Sequence, residues 1–468
     1  MSKQNETKVL FLTLLTTVAI AATGFWIFKN VFSQENSTIK NEALVISNQP
    51  SSVAISSGEK ILSPGDASSA KKEGVESLAA GKYDKAVSNL EAALKAKKND
   101  PEALIYLNNA RIANNKSYTI AASVPMGSDP NTALEILRGI AQAQKEINTG
   151  GGISGTLLKV VIGDDQEKEE TAKQVAQSLV KNQQVLGVVG PNSSDITLGT
   201  GKIYEAGKLV AITPVSTSVK ITKFSPYVFR TVPSDFIAAR ALSNYMMTKF
   251  QKKNVAVFYN SQSNYSQSLK SEFVSAVSLS AGQVVKEFDL SKGDFSASQS
   301  IEQATKQGAE VLMLAANTDT LDKALQVVQV NDKKLPLLGG DDVYALKTLE
   351  IGREKAEGMV VAVPWHIEAN PSSSFPKQSR ELWGADVSWR TASAYDATKA
   401  LIAALQNNPT RSGIQQALSS PDFSAMGASG AIRFLESGDR NAPVQLVKIE
   451  AKKSSRSNTG FDFVPLLQ

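Results

Sequence analysis

Two stretches decide the reading of this chain: Val189-Gly190-Pro191-Asn192-Ser193-Ser194, and Ala211-Ile212-Thr213-Pro214-Val215-Ser216-Thr217. Each is an apolar, β-type run that stops abruptly in small and hydroxyl residues. The first then passes into a helical pattern, Asp195 to Ala206. A helix that starts where a strand ends presents free backbone N–H groups and the positive end of its dipole. That is a receptor for a carboxylate or another small anion. Two such strand ends in succession describe a ligand cleft at the carboxyl edge of a parallel sheet. A hydroxyl at a helix start is by itself most often only an N-cap, so the weight rests on the context.

From Tyr118 onward that context alternates β and α. Apolar strand patterns are Thr119–Val124, Leu157–Ile162, Val185–Val189, Leu209–Ile212, Val255–Tyr259, Val284–Phe288, Val311–Ala315 and Leu335–Leu338. Between them lie helical patterns such as Ala133–Ile147, Glu169–Lys181, Phe236–Phe250, Ser268–Val277 and Phe295–Lys306. Continuous apolar strands separated by amphipathic helices mean parallel sheets covered on both faces. The span is long for one doubly wound sheet, so two lobes are expected.

Composition narrows the chemistry. The chain has 468 residues, 42% apolar and 20% charged, with a net charge of +5. Its basic and acidic residues are interspersed, without a basic stripe carrying aromatics, which argues against nucleic acid. There is no Cys, which excludes disulfides, thiol nucleophiles and Cys-ligated metal centres. The single His, His366, follows the β-type run Gly358–Val363 beside Trp365 and reads as a packed or surface residue. No His/Asp/Glu cluster has metal spacing. Gly150-Gly151-Gly152 lacks the Lys-Ser/Thr of a phosphate loop and reads as a turn. No nucleophile–base–metal set exists, so an enzyme, a cofactor and a metal are not expected.

The N-terminal part divides into three. Val9 to Phe28 is uncharged, apolar and preceded by Lys3 and Lys8, the length and flanks of a membrane-spanning anchor. Residues 1–28 therefore read as a cytoplasmic tip and anchor; the competing reading is a cleavable signal, with Ala19-Ile20-Ala21 as its site. Either exports the rest, and the anchor reading puts the chain in the cell inner membrane, single-pass, with its bulk periplasmic or extracellular. Residues 29–66 are rich in Ser, Asn and Gln and read as a flexible linker. Residues 67–116 carry Gly74, Leu78, Gly81, Tyr83, Ala86, Leu90, Ala93 and Leu94 at fixed offsets, then a helix restart at Asn99-Asp100-Pro101. That spacing resembles a tetratricopeptide repeat, one whole repeat and the first helix of another, Glu102–Ala113. So short a solenoid has to lean on a neighbour; a plain helical spacer is the alternative.

The chain from Tyr118 to about Ala451 resembles the type I periplasmic binding proteins, specifically the leucine/isoleucine/valine-binding receptors of ABC transporters. Ordered motifs carry the resemblance: Gly190-Pro191-Asn192-Ser193-Ser194, Ile212 to Ser218, Val228-Phe229-Arg230-Thr231, Val255 to Tyr259 followed by Tyr265, Gly293-Asp294-Phe295, Gly427 to Phe434, and Gly438-Asp439-Arg440. It implies an α/β fold of two Rossmann-like lobes joined by a hinge, spanning 117–468. Lobe one would take about 118–235 and 365–441, and lobe two about 236–364 and 442–468. It also implies a ligand carboxylate at Ser193 and Ser194, at Thr217 and at the backbone of Val215. Tyr265 would cover the ligand. Asp341 would hold an ammonium group from lobe two, with Asp342 dispensable.

The chain departs from the family in two places. Ala315-Ala316-Asn317 stands where relatives carry a further aromatic, which brings Asn317 into the candidate ligand set. Val124-Pro125-Met126-Gly127-Ser128-Asp129 replaces the usual turn after the first strand. Amino-acid recognition is the expectation, with a smaller or more polar ligand than a branched aliphatic one left open. The implied role is a tethered solute-binding protein for an amino acid or similar small zwitterion, serving an ABC permease or a membrane sensor. The alternative is an interaction scaffold that recruits a protein partner through the helical repeat and no longer binds ligand.

Overall fold

A computed structural model describes residues 53–466. The proposed anchor, Val9 to Phe28, lies outside the described residues; among those described, no helix is long and apolar enough to cross a membrane. From Ser117 onward the chain alternates strand and helix, as its apolar runs require. The first sheet contains β1 (Ile55–Ser56), β2 (Ser117–Val124), β3 (Leu157–Asp164), β4 (Val185–Val189), β5 (Val210–Thr213) and β6 (Val228–Arg230), in the order β1-β3-β2-β4-β5-β6. All neighbours are parallel except the β1–β3 pair. The second sheet contains β7 (Asn254–Tyr259), β8 (Gln283–Asp289), β9 (Val311–Ala315), β10 (Leu337–Gly339) and β11 (Val360–Val363). After the short hairpin β12 (Ala425–Gly427) and β13 (Gly430–Ile432), it gains β14 (Gln445–Ala451) and β15 (Phe461–Pro465), in the order β15-β14-β11-β10-β9-β7-β8. The chain passes between the sheets after Arg230, after Val363 and before Gln445, giving the two lobes expected from the alternating pattern.

The helical segment is present as α1 (Ser69–Ala79), α2 (Tyr83–Ala96) and α3 (Pro101–Ile112). A Cβ on Gly74 would come within 2.7 Å of Leu90, so α1 and α2 cross where glycine allows it. α3 is buried almost all round, between that hairpin and α4 (Pro130–Thr149) of lobe one. Its Glu102 is fully buried and accepts hydrogen bonds from the Leu62 N–H (2.6 Å), the Ser63 hydroxyl (2.5 Å) and the Tyr106 hydroxyl (3.1 Å). The Lys71 ammonium lies 2.8 Å from both Glu102 and Asp100. Burial works against the Lys71 charge, but these two carboxylates outweigh it and hold the ammonium above its ordinary pKa. The helical segment leans on lobe one.

The linker expectation is corrected at its C-terminal end. Residues from Val53 to Asp66 are structured: Ile55 pairs with Gly163 and Ser56 with Ile162. Two residues of strand cover little of the β3 edge, and side chains finish the task. The Asn109 amide donates to the Val160 carbonyl (2.7 Å) and accepts from the Val160 N–H (3.1 Å). Asn148 does the same at Leu158, at 2.9 and 2.7 Å. A carboxamide has the donor and acceptor of a peptide group, so two asparagines act as the missing strand on an edge that would otherwise template aggregation.

Asn109→Ala should destabilise the protein by about 2 kcal/mol or more, because two buried backbone groups of Val160 lose their partners at once. Urea unfolding of this variant beside Asn114→Ala, whose residue is exposed, measures it; equal midpoints would show that the edge does not need the amide.

Candidate functional site

Each sheet contains one place where the chain reverses its direction of growth. In the first sheet β2 lies between β3 and β4, and in the second β7 lies between β8 and β9. The loops leaving such a strand pair diverge and open a crevice at the carboxyl edge. The two crevices face each other across a cavity of about 430 Å³. Lobe one contributes the loops after β2 and β4, the start of α6 (Ser194–Ala206; α5 is Glu169–Lys181), and the loop after β5. Lobe two contributes the loops after β7, β9 and β10 and the start of α8 (Asn264–Leu279; α7 is Asp235–Tyr245).

The hydroxyl loop has the form its sequence implies. Gly190 has φ +120°, and a Cβ there would come within 2.3 Å of the Ser123 carbonyl, so only glycine lets β4 leave the sheet beside β2. Ser193 is the N-cap of α6, its Oγ accepting from the Ile196 N–H at 3.2 Å. Ser194 lines the cavity, and its Oγ accepts from the Ser218 N–H at 3.3 Å, leaving the hydroxyl proton to donate. Ser216 Oγ lies within 2.9 Å of Thr197, Thr213 and the Asn192 carbonyl, which locks the β4 and β5 loops together. Val215 also lines the cavity.

Thr217 does not line the cavity. Its carbonyl is drawn inward to Arg230 Nη1 at 2.7 Å and to the Asp235 N–H at 2.9 Å. Its Oγ1 is buried without a hydrogen-bond partner. Thr217 shapes the loop from behind.

On lobe two, Tyr265 lines the cavity and lies over Gly340, where a Cβ would come within 2.4 Å of the phenol oxygen. Asn317 is on the wall but stitched into its own turn. Its Oδ1 accepts from Asn260 Nδ2 (2.9 Å) and the Thr320 hydroxyl (2.8 Å), and its Nδ2 donates to Asp319 (3.1 Å). Asp341 faces the cavity, 8% exposed, with the Tyr265 hydroxyl as its neighbouring donor. Burial, and then the charge of Asp342, push its carboxyl well above the usual range. Asp342, expected to be dispensable for the ligand, has a partner across the cleft. It is ion-paired at 2.6 Å with Arg390, which belongs to a lobe-one helix, Trp389–Asn407.

Several wall residues were not assigned to the site from sequence: Asp129, Glu167, Asp195, Asp319 and Arg390, while Asp342 was set aside beside Asp341. Asp129 carried a signal, standing just before Pro130 as the N-cap of α4. Gln166 and Glu167 both have left-handed backbones, φ 55° and 51°, held by the Asp164 and Asp165 carboxylates through hydrogen bonds of 3.0 and 3.1 Å. This turn delivers Glu167 to Asn192, whose amide donates to it at 3.0 Å. Burial raises the Glu167 pKa, and the Ser193 and Asn192 hydrogen bonds oppose it. Two further contacts tie the lobes across the cleft mouth. Asn264 donates to Asp195 at 2.5 Å, and the Val219 N–H donates to Ser268 Oγ at 3.0 Å.

A carboxyl raised on folding binds more protons in the folded than in the unfolded state. Its contribution to stability is therefore lost as pH rises from its ordinary value of 3.8 through its raised value. Asp341→Asn, which mimics the neutral acid, should raise the melting temperature of the ligand-free protein at pH 8 and change it little at pH 4. A melting curve lowered at pH 8 would mean that the charged form is welcome in the empty cleft.

Comparison with known proteins gives the same architecture. The chain is 27% identical over 187 residues to an amino acid binding protein of Pseudomonas aeruginosa, an alignment covering 40% of this chain and 50% of that one. It is 25% identical over 309 residues to a leucine-specific-binding protein of Salmonella typhimurium, covering 64% of this chain and 82% of the other. The chain thus spans between half and about four-fifths of these two curated relatives. The structure of a leucine binding protein from Thermotoga maritima superposes with a TM-score of 0.64 at 24% identity, covering 74% of this chain and 97% of that one. The family model for periplasmic binding protein matches residues 117–454; the chain belongs to the periplasmic binding protein family, whose members bind solutes and are not enzymes.

Proposed function

We propose that this protein is an extracytoplasmic receptor that captures an amino acid between its lobes for an ABC importer. One observation carries the reading: in a single cavity, the start of α6 with Ser194 and the Val215 loop stands on lobe one, and Asp341, in no ion pair of its own, stands on lobe two. An α-amino acid carries the complementary pair, a carboxylate for the helix start and an ammonium for the acid. The names of the relatives, which include amino acid binding and leucine-specific binding, agree with that class. The contacts between lobes at Asp342–Arg390 and Asp195–Asn264 support a hinge that closes over its ligand. The family expects an ABC permease as partner; the tether through Val9–Phe28, and the role of α1–α3 as a tetratricopeptide-like docking unit, belong to the same proposal.

With an identified amino-acid ligand, Ser194→Ala should weaken binding by about 1.5–3 kcal/mol, the value of a hydrogen bond to a charged group. Asp341→Asn should cost about 3–5 kcal/mol and remove micromolar binding from a calorimetric titration. Thr217→Val should change affinity much less than either. Full affinity in the first two variants would put the ligand elsewhere. For the tether, carbonate-washed membranes should retain the full-length chain; finding it free in the soluble fraction would reject an uncleaved anchor.

A further inference from the structure

We infer that the cleft is built for a cationic amino acid, one whose side chain carries a second positive group, and not for an aliphatic one. The inference rests on the amino-acid reading above and names the ligand class for that same cavity. Its walls carry six carboxylates, Asp129, Glu167, Asp195, Asp319, Asp341 and Asp342, against one guanidinium, Arg390. Only Asp342 has its charge met, by Arg390 at 2.6 Å. Asp195 is bonded to the neutral amide of Asn264, Glu167 to that of Asn192, and Asp319 to that of Asn317. Asp129 accepts from the Thr132 N–H. Neutral donors satisfy lone pairs but leave the charge in place, and a cleft lined by one sign focuses its field on whatever enters.

The surplus is local. The chain as a whole carries a net charge of +5. The chamber beyond the Asp342–Arg390 pair is nearly balanced, with five carboxylates facing Arg138, Lys347, Arg390 and Arg456. Within the cavity, Asp341 is over nine-tenths buried and faces inward, and the nearby Arg390 guanidinium is ion-paired with Asp342 and not with it. Glu167 is met only by neutral groups, the Asn192 amide and Ser193. A zwitterion with an aliphatic side chain brings one ammonium and one carboxylate and leaves this surplus unchanged. It would also meet few hydrophobic side chains, Ile196, Val215 and the Tyr265 ring being the main ones on the wall. A basic amino acid gives its ammonium to Asp341 and brings a second cation to the remaining acids. Among the described residues, no three acids converge as they would around a metal ion, so the charge to be met is spread out, as on an organic cation.

Calorimetry on the full-length protein with arginine, lysine, ornithine, leucine and glutamate tests this. The basic amino acids should bind at least tenfold tighter than leucine, with affinity falling as salt is raised, and glutamate should not bind. Glu167→Gln and Asp319→Asn should each weaken the basic ligand by a larger factor than leucine; Asp319 is exposed, so that variant does not put folding at risk. Leucine binding as tightly as arginine, without salt dependence, would overturn the cationic assignment and leave the amino-acid receptor standing. Silence from all five, with the other common amino acids also silent in a thermal-shift screen, would overturn both.

Discussion

The guanidinium of Arg230 is the interaction on which the shape of the ligand edge depends. It is fully buried. Its Nη1 donates to the Thr217 and Ser218 carbonyls at 2.7 and 2.9 Å, its Nη2 to the Thr222 hydroxyl at 2.9 Å, and its Nε to Asp439 at 2.8 Å. A buried cation is tolerated only when paired and fully hydrogen-bonded, and the rigid five-donor fork of arginine can do this where a lysine cannot. The result is that β6, the hydroxyl loop after β5 and the Ser437–Asp439 turn form one rigid body. The Val215 backbone owes its place at the cavity to a charge that never meets the ligand. Phe229 and Phe434, packed edge to face with centroids 5.2 Å apart, add the apolar half of the same junction.

The two sides of the cleft solve different problems. On the proposed reading, lobe one supplies backbone N–H groups and hydroxyls already fixed by their neighbours as a preorganised surface for a carboxylate, and lobe two supplies a buried acid that is costly to ionise until a cation arrives. Closure would then join a ready anion site to an acid that the ligand itself neutralises. The Asp342–Arg390 pair stands beside this acid and keeps Arg390, the one cation of the wall among the described residues, engaged with Asp342.

Much of the fold was legible because continuous apolar runs of four to eight residues are read directly as buried parallel strands, and nearly every such run is a strand here. The start of α6 was legible for a similar reason: Gly, Pro and Ser at a strand end carry local conformational meaning. The acid surplus was not. Asp129, Glu167 and Asp319 lie in three loops separated by dozens of residues, each resembling a solvated turn, and only the topology brings them to one cavity. Thr217 was misplaced because a hydroxyl in a ligand loop has two sides to face, and Arg230 decides which. The segment after residue 52 was read as linker because its order comes from partners far along the chain, Glu102, Asn109 and Gly163. No local pattern in Ser-Ser-Val-Ala-Ile-Ser announces them.

The closed edges of the first sheet also imply an order of completion. Everything that seals the β3 side, from Ile55 through Asn109 and Asn148, is encoded before residue 165, so this flank can be finished early in synthesis. The β6 flank cannot. Its cover, the Gly438 carbonyl that accepts from the Arg230 N–H at 3.1 Å, comes just before the carboxylate that neutralises Arg230, Asp439, 209 residues beyond that arginine. The second lobe is made in the interval. A chain emerging N-terminus first thus holds an incomplete first lobe, with one raw edge and one uncompensated buried charge, until nearly its last residues appear. The return through Gly438 and Asp439 is the step that closes the first lobe, and truncation before it would damage the lobe whose strands are made first.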